Sequence, residues 1–189
     1  MSNISDFIYK IVDLIGIYGP ILSTLLIVIE SIFPILPLGV FITINFLYYG
    51  NFLGFLLSWF FTVIGCMMSF YLFRKGIQGK FNKLISNRDK LNNFMNRFNN
   101  ISVSELALII AIPFTPAFLV NIAAGLSNIS TKKILLSLII GKIGLVYFWG
   151  YIGTSLIESL TNPIILIKIA IILIVTYIVS LIIKKITKI

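Results

Sequence analysis

The sequence predicts an all-α integral membrane protein, organised as one membrane domain over residues 1–189. Of its 189 residues 59% are hydrophobic and only 11% are charged, and the mean hydropathy is +1.07. A soluble domain of this length carries charges at about a quarter of its positions. Uncharged stretches longer than about twenty residues, the length that crosses a bilayer as a helix, also recur along the chain. These observations exclude a soluble fold.

The residue inventory excludes much of enzyme chemistry. The chain has no histidine, and Cys66 is its single cysteine, so histidine-dependent catalysis, the usual zinc sites and an intramolecular disulfide are ruled out. Asp6, Asp13 and Asp89 lie outside the apolar segments, which argues against an aspartyl intramembrane protease. The sequence also contains no nucleotide-binding motif. We therefore expect no enzymatic activity, no cofactor and no metal.

The net charge of +9 points to the membrane surface. Twelve of the fifteen basic residues fall in three clusters, 74–97, 132–133 and 184–188, and each cluster flanks an apolar segment. Lysine and arginine collect on the cytoplasmic side of membrane proteins. We therefore expect membrane lipids as partners rather than nucleic acid. The sequence leaves open whether the protein is a homo-oligomer.

Two amphipathic helices are expected at the level of the lipid headgroups. Residues 1–16 carry apolar side chains at helical spacing opposite Asp6, Lys10 and Asp13, and these charges do not fit a signal peptide. A helix that packs against the rest of the protein is the alternative for this stretch. Residues 77–98 form the one long polar region, with basic residues opposite an apolar face.

Prolines interrupt the first long apolar stretch, residues 14–50, in which Glu30 is the only charge. Pro34 and Pro37 cannot both lie inside a regular helix, because each lacks an amide donor and disfavours helix just before itself. The piece that follows, residues 38–49, would be about 18 Å long. That length falls well short of a hydrocarbon core of about 30 Å. We therefore predict that residues 18–49 form a re-entrant hairpin, which enters and leaves the membrane on one side.

A second broken stretch covers residues 106–126, where Pro113 and Pro116 interrupt the apolar run. A broken span and a second re-entrant hairpin both fit this pattern. A full span would separate the basic clusters on either side of it, whereas a hairpin keeps them on one side, as the positive-inside tendency favours. We therefore predict a hairpin.

Local signals mark where two further helices begin. Ser102 and Glu105 have the spacing of a capping box. Asn162 precedes Pro163 in the pattern of an N-cap followed by proline at the first helical position. In chain order, the predicted membrane elements are a hairpin over 18–49, a span over 52–73, a hairpin over 106–126, a span over 134–155 and a span over 163–183. The loop before the last span carries only Glu158, so we expect it outside and the C-terminus in the cytoplasm.

An internal repeat is suggested by three residue pairs that share one shift of 79 residues, Pro34 with Pro113, Pro37 with Pro116 and Gly65 with Gly144. Each of the units 18–76 and 102–155 would contain a broken hairpin followed by one span. Because such a unit crosses the membrane once, the second copy would be inverted, as in many transporters. Unrelated prolines that kink ordinary helices are the alternative.

Charges inside the apolar segments are the first candidates for function. Glu30 and Lys142 each cost about 2.5–3.5 kcal/mol to insert, so we expect both to face the protein interior or a wet cavity, where they can pair. The breaks at the prolines leave backbone amide and carbonyl groups without helical partners. Inside the membrane, only protein or a water-filled cavity can provide hydrogen bonds for these groups. Asn121 would add a donor and an acceptor, although a role in helix packing is equally open. The candidate binding residues are Glu30, Pro34, Pro37, Pro113, Pro116, Asn121 and Lys142.

The motifs of the chain resemble those of the DedA family of polytopic membrane proteins, also called the VTT domain. The resemblance rests on the run 30–37, the stretch 71–76 that ends the first span, and Pro113-Phe-Thr-Pro116 with Asn121, and it covers about residues 18–155. The second proline motif looks most like the branch that contains the Tvp and Tmem proteins. The resemblance implies two opposed re-entrant hairpins and lipid translocation, and it adds Arg74 to the candidate binding residues.

The sequence departs from the family pattern at several positions. Ile110 stands where family members often have arginine, Phe73 stands where glycine is usual, and residues 38–40 lack the usual acid. Glu30 is the acidic residue of the family pattern that this sequence keeps. From its position in the sequence, Lys142 is a candidate to replace the missing cation.

Together these patterns predict a translocator of anionic lipids, such as polyprenyl phosphate or phospholipid, with Glu30 as a proton or ion site. A scaffold protein that moves nothing is the alternative from another class. The abundance of Ile, Asn and Lys indicates a bacterial plasma membrane. The sequence does not name the lipid, its direction of movement or the coupling ion.

Overall fold

The computed structural model describes residues 18–34, 36–76, 78 and 89–187, and the regular elements within these residues are all α-helices. In chain order they are α1 (Tyr18–Glu30), α2 (Leu38–Gly76), α3 (Asp89–Asn100), α4 (Val103–Ala111), α5 (Ala117–Leu126), α6 (Thr131–Glu158) and α7 (Ile164–Thr187). The helix predicted over 1–16, and most of 77–88 in the predicted linker helix, lie outside the described residues.

Three helices are long and apolar enough to cross a membrane, namely α2, α6 and α7 over Ile164–Ile183. This confirms the prediction of an all-α membrane protein with three long apolar helices. The remaining apolar helices are much shorter, with 13 residues in α1, 9 in α4 and 10 in α5.

Gly50 divides α2 into two arms. Its φ of 75° and ψ of 173° are not helical, and only glycine adopts such a backbone at little cost. After this turn the chain doubles back on itself, so that a Cβ placed on Gly54 would lie 2.5 Å from the carbonyl oxygen of Asn45. The boundary predicted between the hairpin that ends at residue 49 and the span that begins at residue 52 therefore falls at Gly50, where two helical arms meet in a sharp turn.

Helix starts follow the predicted capping signals. The Glu105 amide donates to Ser102 Oγ at 3.2 Å, and the Ser102 amide donates to the Glu105 carboxylate at 2.9 Å, which completes a capping box. These bonds, the backbone one first, hold the pKa of the exposed Glu105 carboxyl below its usual value. At α7, Asn162 Oδ1 accepts a hydrogen bond from the Ile164 amide at 3.2 Å.

Glycines allow the short helices to approach the long ones closely. A Cβ on Gly65 of α2 would lie 2.7 Å from Ser31 Oγ, just beyond α1. On Gly125 of α5 it would lie 2.8 Å from the Phe70 carbonyl of α2, and on Gly141 of α6 it would lie 2.6 Å from the Ala107 carbonyl of α4. Small residues at such crossings are typical of helix packing in membranes.

The buried apolar side chains form two main clusters. The first cluster joins α2, α4, α5 and α6, and the second joins α1, the first arm of α2 and α6. Members of the first cluster used below are Cys66, Phe70, Val120, Ala124 and Leu138, and members of the second are Ile27, Ile42, Phe46, Leu145 and Val146.

The last helix, α7, packs only lightly on the others. Its residues are mostly exposed apart from Ile169 and Ser180, and Tyr177 touches Phe114 with the ring centroids 5.9 Å apart. In a bilayer these exposed apolar side chains face lipid, which is as apolar as they are.

Candidate functional site

The two proline-containing connectors lie between short helical arms. Residues 31–37 join α1 to α2, and residues 112–116 join α4 to α5. Tight turns form both connectors, since the Phe33 amide donates to the Ile29 carbonyl at 2.8 Å and the Thr115 amide donates to the Ile112 carbonyl at 3.1 Å. The prolines end the arms because they have no amide hydrogen for a helical bond.

One cavity of about 710 Å³ is bordered by both connectors. Its lining includes Glu30, Pro34, Pro37, Pro113 and Pro116, which are five of the eight predicted binding residues. The rest of the wall comes from the ends of α1 and α5, the first arm of α2 and the second half of α6, and it is mainly apolar. Among the described lining residues, Glu30 is the one that carries a charge at neutral pH.

Lys142 lies behind this wall rather than in it. The side chain is 1% exposed, and its Nζ has no hydrogen-bonding partner among the described residues. Its charge attracts the Glu30 carboxylate across space without a direct hydrogen bond. The two charges predicted to pair therefore lie in each other's field, and whether they act as one unit stays a prediction.

Arg74 lies away from the cavity, at the end of α2. Its Nε donates to the Gly125 carbonyl at 3.2 Å, and its Nη2 lies 2.9–3.0 Å from the carbonyls of Ala124, Ser127 and Ile129. The guanidinium also stacks over the Phe70 ring at 4.5 Å. These carbonyls belong to the C-terminal end of α5 and the loop after it, so Arg74 caps that helix end. A contact between Arg74 and a substrate stays a prediction.

Asn121 is buried on α5 and is 1% exposed. Its Nδ2 has no partner among the described residues, and the residue does not line the cavity. The structure thus groups Glu30 with the four prolines, and it leaves Asn121, Lys142 and Arg74 outside that group.

Asn45 is a buried polar residue that the sequence analysis missed. Its Oδ1 accepts a hydrogen bond from Ser23 at 2.5 Å, and its Nδ2 donates to Ser58 Oγ at 3.0 Å. The amide thereby ties α1 and both arms of α2 together. An amide in the middle of a long uncharged apolar run was the available signal.

The two ends of the segment formed by α4 and α5 lie close together. The Asn128 amide, after α5, donates to Asn99 Oδ1 at 2.7 Å, and Asn99 lies just before α4. Gln78, after α2, donates to the Ser127 carbonyl at 2.7 Å, and Lys133 at the start of α6 donates to the Asn99 carbonyl at 3.4 Å. The segment therefore starts and finishes at one end of the molecule.

Fold and site together define a multi-pass helical membrane protein with a cavity where two proline-broken segments meet. The VTT domain family matches residues 31–155. Over 147 residues the chain is 33% identical to the uncharacterized membrane protein YhjE of Bacillus subtilis (strain 168), covering 78% of this chain and 71% of that protein. Over 128 residues it is 24% identical to the uncharacterized protein YqeD of the same organism, covering 68% and 62%. No solved structure matches significantly. The chain belongs to the VTT-domain, or DedA, family, as its motifs predicted.

Proposed function

We propose that this protein moves lipids across the bilayer and that the cavity between the two proline connectors holds the headgroup. The observation that carries the proposal is the lining of this cavity. The tips of both broken segments border the cavity. Among its described lining residues, Glu30 supplies one carboxylate in otherwise apolar surroundings. Broken helices that meet around a site inside the membrane are the usual construction of transporters.

Helix lengths support two re-entrant hairpins. With 9 and 10 residues, α4 and α5 measure about 14 and 15 Å, and neither reaches across a core of about 30 Å. The contacts of Asn99 with Asn128 and Lys133 hold both ends of this segment together, as a hairpin requires. In the first segment, the turn at Gly50 returns the chain after an arm of similar length.

The positions of the two turns support opposed hairpins and hence an inverted repeat. The mouth of the first hairpin lies near Gly50, at one end of the long arm of α2. The mouth of the second lies near Arg74, at the other end of that arm. Their tips meet at one cavity, so a headgroup there is reachable from both leaflets if each hairpin opens in turn.

The substrate class follows from charge and shape. An apolar wall suits acyl or prenyl chains near the headgroup, and the buried Lys142 behind that wall adds a positive group whose attraction favours a phosphate in the cavity. We therefore assign the protein to anionic lipids, polyprenyl phosphate or phospholipid, with Glu30 as a proton or ion site. The plasma membrane with the C-terminus in the cytoplasm belongs to the same proposal.

The direct test is lipid movement in vesicles that contain the purified protein. Fluorescent phospholipids and a prenyl phosphate, each followed by an impermeant quencher, should equilibrate between leaflets faster than in empty vesicles. Ala117→Trp, which fills the cavity, should slow this movement, whereas Leu136→Trp on an exposed face of α6 should not. If the wild-type protein moves none of the lipids, the proposal fails and the scaffold alternative gains support.

A further inference from the structure

A groove of about 520 Å³ lies where α4 crosses α6, and it shares no described lining residue with the cavity between the connectors. Ala107 and Gly141 are buried at its bottom, whereas Leu108 and Ile140 stand beside them with about half of each side chain exposed. The two helices meet closely there, since a Cβ on Gly141 would lie 2.6 Å from the Ala107 carbonyl oxygen. Small residues at the crossing therefore leave an open space between two larger ones.

The groove follows one face of α4. Its lining residues on this helix begin at Val103 and Ser104 and end at Ala111. That distance along a helix is about 12 Å, close to half of a hydrocarbon core of about 30 Å. Ser104 is the one polar side chain among the described lining residues, and it lies at the first end. The length and the apolar wall fit a single acyl chain within one leaflet.

The end of the groove at Val103 lies at the level of the lipid headgroups. Glu105, in the first turn of α4, and Lys132, in the first turn of α6, are both exposed. Exposed charged side chains avoid the hydrocarbon core. An acyl chain in the groove would therefore have its headgroup at this end.

Two neighbouring lysines of α6 lie at the same end. Ser137 Oγ lies 3.1 Å from the Val103 carbonyl oxygen and 2.9 Å from the Lys133 carbonyl oxygen, so the first turn of α6 packs against the start of the groove. Lys133 precedes Ile140 by two helical turns, which places both residues on one face of α6. The positive charges and the groove therefore follow one another along the same side of the protein.

The balance of charge at this end is positive. Glu105 opposes the two lysines, but its carboxylate already accepts hydrogen bonds from the Ser102 amide at 2.9 Å and the Ser102 hydroxyl at 2.8 Å. Lys133 Nζ carries three donors, and its one contact among the described residues is the Asn99 carbonyl at 3.4 Å. Basic pockets between membrane helices typically bind the headgroups of anionic lipids.

We propose that this groove binds one anionic phospholipid, with an acyl chain along α4 and the phosphate at Lys132 and Lys133. The bound lipid fills the space beside the crossing of α4 with α6 and thereby stabilises the first arm of the second broken segment. This site is separate from the cavity, and it does not require that the protein move lipids.

The test counts lipids bound to the purified full chain by native mass spectrometry from a neutral detergent. The probes are dioleoyl phosphatidylglycerol and dioleoyl phosphatidylcholine, which have the same chains and differ in net charge. The wild type should bind one phosphatidylglycerol at least about fivefold more tightly than phosphatidylcholine, the contribution of about one lysine near an anionic headgroup. Lys132→Gln combined with Lys133→Gln should remove this preference. Leu108→Ala should weaken both lipids alike, because it removes a wall of the groove without changing its charge.

Three control variants separate this site from the rest of the surface. Lys168→Gln and Leu166→Ala change an exposed lysine and an exposed leucine of α7, outside both described cavities, and both should bind as the wild type does. Ala117→Trp fills the cavity between the connectors and should keep the preference for phosphatidylglycerol.

Several results would overturn the proposal. Equal binding of the two lipids by the wild type would show that charge does not select the occupant. A preference that survives the double lysine variant, or that Lys168→Gln loses to the same extent, would place the anionic lipid elsewhere. Loss of the preference in Ala117→Trp would assign the bound lipid to the cavity. A lipid-free dimer that Leu108→Ala dissociates would show that a second copy of the chain covers the groove.

Discussion

Lys142 is buried in the protein interior, and its attraction to Glu30 acts across space without a hydrogen bond. The two residues are not equivalent. Lys142 is sealed between helices, whereas Glu30 lines the cavity and can be hydrated or protonated there. Removing Glu30 therefore strands a buried cation, while removing Lys142 leaves a carboxyl that water can reach.

Glu30→Gln should lower the free energy of unfolding more than Lys142→Met does, and the double variant should recover part of that loss. Interacting residues typically couple by about 0.5–3 kcal/mol. Thermal unfolding of the four proteins in detergent measures this coupling. If the two single effects add within about 0.5 kcal/mol, the charges do not act on one another.

We expect Arg74 to stabilise the protein through the planar, forked arrangement of its guanidinium donors rather than through its charge alone. Arg74→Lys keeps the charge but loses the separate Nε donor to the Gly125 carbonyl and the planar stack over Phe70, so it should lose roughly 1.5–3 kcal/mol, the contribution of a charged hydrogen bond. Thermal unfolding of Arg74→Lys and Arg74→Gln tests this.

Lys75→Gln is the matched control for Arg74, because Lys75 is the exposed neighbouring cation in the same last turn of α2. It should change stability by no more than about 0.5 kcal/mol. Full stability of Arg74→Lys would show that charge alone suffices and that the fork is unnecessary.

Among the elements, the turn at Gly50 converts one long apolar run into two arms. A side chain added at Gly50 would meet no neighbouring atoms, but the backbone there has a positive φ. The cost of a substitution at this position is therefore conformational only. Gly50→Ala should therefore destabilise the protein by about 1–3 kcal/mol.

Gly76→Ala provides the control for this prediction. Gly76 also has open space around it, but its φ is not positive. Its substitution should leave the unfolding temperature nearly unchanged. Equal shifts for the two variants would mean that the positive φ at Gly50 imposes no cost on alanine.

Much at this scale is predictable from the sequence, and the reasons are local. Prolines end helices, capping residues start them, and long uncharged stretches mark spans, so the sequence alone places most of the helices. Contacts between residues that are far apart in the sequence are harder to predict. Nothing near Arg74 indicates that its donors reach carbonyls 50–55 residues away, and nothing near Asn45 indicates Ser23 as its partner.

For the molecule as a whole, the grouping of Glu30 with four prolines at one cavity was the part of the site that sequence anticipated. The proline pairs indicate this grouping in the sequence, because each pair separates two short helices and therefore marks the tip of a broken segment. The packing of Lys142 behind the wall, rather than within it, depends on how α6 is rotated. A single lysine in an apolar helix does not reveal that rotation.

Thiol labelling of intact cells tests most directly that the second broken segment enters and leaves the membrane on one side. In a Cys66→Ala background, single cysteines replace Asn100, Asn128 and Thr161, which are all exposed. Residues 100 and 128 flank the second hairpin, and residue 161 follows α6. An impermeant reagent should label position 161 from outside and spare positions 100 and 128. Labelling of position 128 with position 100 still protected would show that the segment crosses the membrane, and the account would be contradicted.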